Sequence, residues 1–215
     1  MKAFVIGIAD NDKSLSAAER CMWSGDRVGV KIRMFNAITP KDDPVSMLEK
    51  EGIDPERFDE VYSRNLNCMA AFLSHYTLWK QCAEGTDNFT IFEHDAILDT
   101  PIPTTPFRYV MNIGAPSYGK WNTPSLMGVN PLTTKRYFPG AHAYMVTPAG
   151  AQLLVENAGL YAKPTDVYMH LDTFPWLQEY YPFVARADDS FTTIQVERGC
   201  LAKHNYKDGY AIIDV

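Results

Sequence analysis

Apolar residues run through Phe4-Val5-Ile6-Gly7-Ile8 and give way to Ala9-Asp10-Asn11-Asp12-Lys13, the pattern of a buried strand opening into a loop. Ser14 or Ser16 then caps a helix predicted through about Trp23, and Ser24-Gly25-Asp26 ends it. Residues 30–35 predict a second strand, so the chain opens as strand, loop, helix, strand, the start of a parallel α/β sheet. After the polar, proline-punctuated residues 39–44 come a short helix over 45–50 and a Gly52-Ile53-Asp54-Pro55 turn. Cys68, Ala71, Phe72, His75, Leu78, Trp79 and Cys82 recur at helical spacing, and Met69, Leu73 and Tyr76 make that helix apolar around most of its circumference. Gly85 and Asn88 break it. Phe89-Thr90-Ile91-Phe92 follows as a short strand whose carboxyl end carries Glu93-His94-Asp95. Residues 100–140, with many prolines and glycines, predict loops laid over a rigid sheet. A strand over 142–146 leads into a helix with Thr147 as N-cap and Pro148 at its first position, running to about Asn157 with Gly159 as its stop. From Lys163 onward the pattern is mixed and aromatic, and the chain contains no internal repeat.

Composition narrows the partners more than the fold. A chain of 215 residues fits one α/β domain with a mostly parallel central sheet flanked by helices, and 46% hydrophobic with 21% charged residues is ordinary for a soluble protein. A net charge of −6 argues against a nucleic-acid groove that works by counterion release. The N-terminal apolar run is too short for a signal-peptide core, and no segment approaches a bilayer span, so the sequence reads as cytoplasmic. Cys21, Cys68, Cys82 and Cys200 show no metal-binding or redox spacing and read as reduced core thiols.

Three ionisable side chains between two apolar segments are the candidate chemistry. Open α/β sheets place ligands at the carboxyl ends of their strands, where Glu93 and Asp95 fall. Two carboxylates at this spacing hold a hard cation such as Mn²⁺ or Mg²⁺, whose shell a substrate diphosphate commonly completes. The spacing itself is common: Asp10/Asp12, Glu49/Glu51 and Asp54/Glu56 repeat it in loops or on polar faces, and a solvated strand end is the plainer alternative.

Three segments together carry a more specific likeness. Asn67-Cys68-Met69-Ala70-Ala71-Phe72-Leu73-Ser74-His75-Tyr76-Thr77-Leu78-Trp79-Lys80, Ile91-Phe92-Glu93-His94-Asp95-Ala96, and residues 140–151 from Gly140-Ala141-His142-Ala143-Tyr144 to Gly150-Ala151 resemble glycosyltransferase family 25 in matching order. That family includes bacterial lipooligosaccharide galactosyltransferases and collagen galactosyltransferase domains. Two positions depart from its pattern: its central strand-end Asp is His94 here, and the Gly before the helix Cys is Asn67.

The resemblance implies a GT-A fold, with residues 1–100 holding a nucleotide-sugar and residues 101–215 receiving a glycan or other hydroxyl acceptor. It implies a UDP-hexose donor and Mn²⁺ or Mg²⁺ between the strand-end carboxylates and the diphosphate. Glu93, Asp95 and a late His204 are the metal candidates, with His94 a further ligand or a surface imidazole. Ile8, Asp10, Arg20, Asn36, Ser74, His75, Glu93, His94 and Gly140 are the donor-binding candidates. Asp166, spaced i, i+4 from His170 on a predicted helix face, is the candidate general base. Each has a structural alternative: a core histidine at 75, a solvated helix arginine at 20, a helix cap at 166. The competing functions are a catalytically silent nucleotide- or sugar-binding protein and, last, a metal hydrolase.

Overall fold

The computed structural model describes residues 1–59, 63–188, 190–195 and 211–215. β1 (Lys2–Gly7), α1 (Asp12–Arg27) and β2 (Ile32–Asn36) form the predicted opening unit, with β2 parallel to β1. The cap of α1 is Asn11, whose side chain accepts the Ser14 N–H, and the helix continues through Ser24-Gly25 to Arg27. Gly25 is there for close packing instead: a Cβ would lie 2.7 Å from the Val30 carbonyl oxygen and 2.6 Å from Ile32 Cδ1.

A short α2 (Pro44–Lys50) precedes the long α3 (Asn65–Ala83), which buries Cys68, Phe72, Ser74, Leu78, Trp79 and Cys82. β3 (Phe89–Glu93) lies beside β1 and parallel to it. β4 (Ala96–Leu98) leaves the main sheet. Residues 100–140 are not loop alone. They contribute β5 (Val110–Asn112) and β6 (Gly128–Pro131), three- and four-residue strands too short to alternate visibly in sequence.

β7 (Ala143–Val146) runs antiparallel between β3 and β5. α4 (Pro148–Tyr161) has the predicted Thr147 cap, its hydroxyl accepting the Gly150 N–H at 3.0 Å, but passes straight through Gly159. There Gly159 sits against the Gly52 carbonyl, 3.3 Å from where a Cβ would be. α5 (Thr165–Tyr168) is a single turn, so His170 lies beyond it, bridged to Tyr137, and does not share a helix face with Asp166. β8 (Gln178–Tyr181), β9 (Ala185–Ala187), β10 (Phe191–Thr192) and β11 (Ala211–Ile212) complete the described elements.

The central sheet has seven strands in the order β2-β1-β3-β7-β5-β8-β6. β1, β2, β3, β5 and β8 point one way, and β7 and β6 point the other. Alternate residues of the central strands feed two cores. Ile91, Val110, Tyr144 and Val146 pack with α3 and α4 on one face; Val5, Phe92, Met111, Ala143 and Met145 pack with α1 and β4 on the other. Cys21, Cys68 and Cys82 are buried free thiols, as expected of core cysteines; Cys200 lies outside the described residues. Among the described residues, no helix is long and apolar enough to cross a membrane.

Because β7 is antiparallel, its amino end meets the carboxyl ends of β1 and β3. The Glu93 N–H donates to the His142 carbonyl at 3.0 Å and closes that edge. A cavity opens there.

Candidate functional site

The cavity measures about 440 Å³ and draws its walls from both ends of the chain. Ile8 follows β1, residues 37–40 follow β2, and Glu93, His94 and Asp95 end β3. Ser74 and His75 come from α3, Ser117 and Tyr118 from the segment after β5, and Gly140 and His142 from the approach to β7. Thr165 and Asp166 come from α5, and Phe191 from β10.

Of the candidates named from sequence, Ile8, Ser74, His75, Glu93, His94, Asp95, Gly140 and Asp166 therefore share one cavity. Three are placed elsewhere. Asp10 is exposed and ion-paired to Lys41 Nζ at 2.5 Å, which holds its carboxyl below the usual range. Asn36 is exposed at the end of β2, and the cavity uses the next four residues in its place. Arg20 pairs with Asp188 at 3.1 Å, outside the lining. His204 lies outside the described residues.

His75 stands at the middle of a buried relay. Trp79 Nε1–H donates to Tyr144 Oη at 2.8 Å, and Tyr144 Oη lies 2.8 Å from His75 Nδ1. An indole N–H only donates, so the tyrosine proton is left for His75 Nδ1, and His75 Nε2–H points to Glu93 Oε1 at 3.3 Å. Burial holds the imidazole down at about 3, so it is neutral and the contact with Glu93 is a hydrogen bond, not an ion pair. The relay fixes one Glu93 oxygen from below.

Tyr144→Phe should leave the Trp79 donor and the His75 acceptor unpaired, each loss costing about 1–3 kcal/mol. A net destabilisation of about 2–4 kcal/mol is expected once partial relaxation is counted, read as a lowered urea midpoint. A midpoint within 0.5 M of the parent, a shift of roughly 1 kcal/mol or less at ordinary m-values, would remove Tyr144 from the relay.

His94, the departure from the family pattern, is equally well held. Its Nδ1 lies 2.8 Å from Ser14 Oγ, which also accepts the Ile8 N–H at 2.9 Å, and its ring packs on Phe191 at 5.0 Å. Desolvation, with the nearby Arg20 guanidinium adding to it, lowers this imidazole to about 4. Ser14 thus ties the β1 loop to the β3 end. Ser74 does similar work, accepting the Ile38 N–H at 2.8 Å while donating to Ala70 O at 2.9 Å.

Asp166 reaches the cavity from the C-terminal half. Its Oδ2 accepts from Tyr118 Oη at 2.7 Å and its Oδ1 from the Val167 N–H at 2.9 Å. Burial and the Asp166 charge push the Tyr118 phenol far above its ordinary value, so it remains a donor. Ser14, Tyr118, Thr165, His142 and Phe191 were not singled out as site residues from sequence. His142 falls within the motif from Gly140 to Ala151, but nothing local marks the other four, since each enters the site through a contact with a distant segment.

Among the described residues the lining carries three carboxylates, Glu93, Asp95 and Asp166, and no Lys or Arg. An anionic diphosphate is repelled by such a wall unless a cation accompanies it. No group of three or more His, Cys, Asp or Glu is placed to ligate one metal among the described residues. Glu93 and Asp95 nonetheless offer the two hard carboxylates with which Mg²⁺ or Mn²⁺ is commonly held when substrate oxygens complete the shell.

Residues 2–105 match the model of glycosyltransferase family 25, described as an LPS biosynthesis protein. The likeness read from the helix and strand-end motifs is borne out over that stretch, which stops short of the segment from Gly140 to Ala151. No curated protein matches the chain. Among solved structures, the CTP:phosphocholine cytidylyltransferase LicC from Streptococcus pneumoniae is similar over 86% of this chain and 91% of that one. At 10% identity and a TM-score of 0.40, that likeness is too distant to bear on the site.

Proposed function

We propose that the protein is a glycosyltransferase that moves a hexose, galactose or glucose, from a UDP-sugar to a hydroxyl of a glycan acceptor. The observation that supports this most is the gathering of Glu93, Asp95 and Asp166 around one cavity at the carboxyl edge of β1 and β3, within and beside the segment that matches family 25. The family's link to LPS biosynthesis favours a lipopolysaccharide-type acceptor. A GT-A arrangement then places the donor against residues of the first half and the acceptor against those of the second.

In this proposal Glu93 and Asp95 would hold Mn²⁺ or Mg²⁺, with Glu93 oriented by the His75 relay. When bound, such a cation would supply the charge neutralisation that a leaving diphosphate needs. Asp166 takes the acceptor's hydroxyl proton as the acceptor oxygen bonds to the anomeric carbon and the bond from that carbon to the diphosphate breaks. The hydrogen bond from Tyr118 keeps the Asp166 carboxylate turned toward the cavity.

Calorimetric titration of UDP into the metal-free protein, with and without added Mn²⁺, tests the donor side. Binding is expected only with Mn²⁺ and should weaken at least about tenfold in Asp95→Asn, the loss of one charge-assisted contact. Absence of heat under both conditions would sink the UDP-donor assignment. The second reading, a silent binding protein, is favoured by the middle acidic position being His94, whose Nδ1 is committed to Ser14. UDP binding without turnover of any hexose donor would select it.

A further inference from the structure

Three histidines line the cavity, and one differs from the other two. His75 engages both ring nitrogens and His94 is held through Nδ1 by Ser14. His142 is 2% exposed and neither Nδ1 nor Nε2 has a hydrogen-bond partner. An imidazole buried without partners costs about 1–3 kcal/mol per group, so a folded chain does not keep one there for packing alone.

The backbone around it is shaped to make room. A Cβ at position 114 would lie 2.4 Å from His142 Nε2, and one at position 140 would lie 3.3 Å from Nδ1 and 2.4 Å from Ser117 Oγ. Gly140 and Ala141 both take left-handed backbone, φ 89° and 46°, the second a conformation that costs an alanine about 1–2 kcal/mol. Strained backbone is found where a site needs a side chain aimed in a particular way. Thr165 Oγ1, also buried and without a partner, lines the same cavity.

The two unpartnered ring nitrogens select the ligand chemistry. A neutral imidazole presents one N–H donor and one lone-pair acceptor. A phosphate oxygen offers only acceptors and prefers a cation. A hydroxyl offers both a donor and an acceptor, as Thr165 Oγ1 also does.

We infer that His142 binds a sugar hydroxyl and is the residue through which the cavity distinguishes a nucleotide-sugar from the bare nucleotide. This rests on the donor reading above. The neighbouring Thr165 hydroxyl serves the same ring of hydroxyls. An ordered water at the ring nitrogens is the competing account.

The test uses the full chain with ¹⁵N-labelled histidine and Mg²⁺ as a diamagnetic cation, the His142 ring signals being assigned by comparison with His142→Gln. UDP-galactose and UDP-glucose should move the His142 ring nitrogens by several ppm, while UDP leaves them in place. His142→Gln should weaken UDP-hexose binding about 5–20-fold, the loss of one to two hydrogen bonds, with UDP affinity within twofold of the parent. Equal responses to UDP and UDP-hexose, or a silent His142 while UDP-hexose binds, would overturn the inference and leave the water account. If UDP does not bind at all, the donor reading fails separately, and free galactose and glucose decide: a shift at His142 upholds the hydroxyl site, and none removes it. The wild-type titration stands even if the variant misfolds.

Discussion

Lowering the pH from 6.5 to 4.5 should strip this protein of most of its stability. His75, His94 and His142 are all buried, and desolvation holds their imidazoles down at about 3, about 4 and about 4, against an ordinary value of 6.5. Between those values the unfolded chain binds a proton at each site and the folded chain does not, so stability falls as pH falls through that window. The ceiling is about 1.4 kcal/mol per histidine per pH unit, or about 4 kcal/mol per unit for the three, against a typical total of about 5–15 kcal/mol.

The charged groups around them do not reverse the sign. Asp166 favours protonation of His75, but desolvation outweighs it, and Arg20 opposes protonation of His94. Glu179, whose carboxyl burial raises above its ordinary 4.5, works the other way, but as one group and only toward the acid end. Asp10, Asp43 and Asp87 are held below 3.8 and bear on stability only at still lower pH. Urea midpoints at pH 7.5, 6.5, 5.5 and 4.5 should fall slightly between the first two, by about 1 kcal/mol of stability, and drop steeply through the last two. A flat profile down to pH 5 would mean that these imidazoles are not neutral and buried together.

The second large effect is on turnover. Asp166→Asn keeps the shape of the side chain and its contacts with Tyr118 and the Val167 N–H within reach, yet removes the carboxylate proposed to accept the acceptor's proton. A positioned general base contributes about 10²–10⁴-fold, so kcat should fall by that factor while KM for the donor stays within about threefold. This split separates the base from a structural role: loss of the α5 turn would raise KM and lower the unfolding midpoint as well. A fall in kcat below tenfold would place the base elsewhere, or mean that the transfer retains configuration and needs none.

Both effects trace to features of unequal legibility. The strand ending at Glu93, its position at the carboxyl edge, the long buried helix around Phe72 and Trp79, and the Thr147 cap were legible because each is written in consecutive residues. Periodicity and capping act over a turn or a strand, and the sequence displays them directly. Gly25 and Gly159 show the limit. Read locally each is a helix stop, yet both lie inside helices where a neighbouring segment passes close, 2.7 Å from a Cβ at position 25 and 3.3 Å from one at position 159, and that neighbour is invisible in the window that contains the glycine. The strands at Val110–Asn112 and Gly128–Pro131 were hidden for a related reason: three or four residues paired to distant partners leave no alternation of their own.

The candidate site divides in the same way. Sequence by itself determined the α/β order and brought Glu93 and Asp95 to a strand end, since a run of apolar residues followed by acids states where a buried strand meets solvent. It also marked Asp166 as a candidate, though through a helix face shared with His170 that does not form. Only the tertiary structure decided that Asp10, Arg20 and Asn36 lie outside the cavity lining, that Tyr144 orients Glu93 through His75, and that His94 is fastened to Ser14. Those contacts join segments tens of residues apart, and hydrogen bonds and desolvation depend on distance in space, which the order of residues along the chain does not encode.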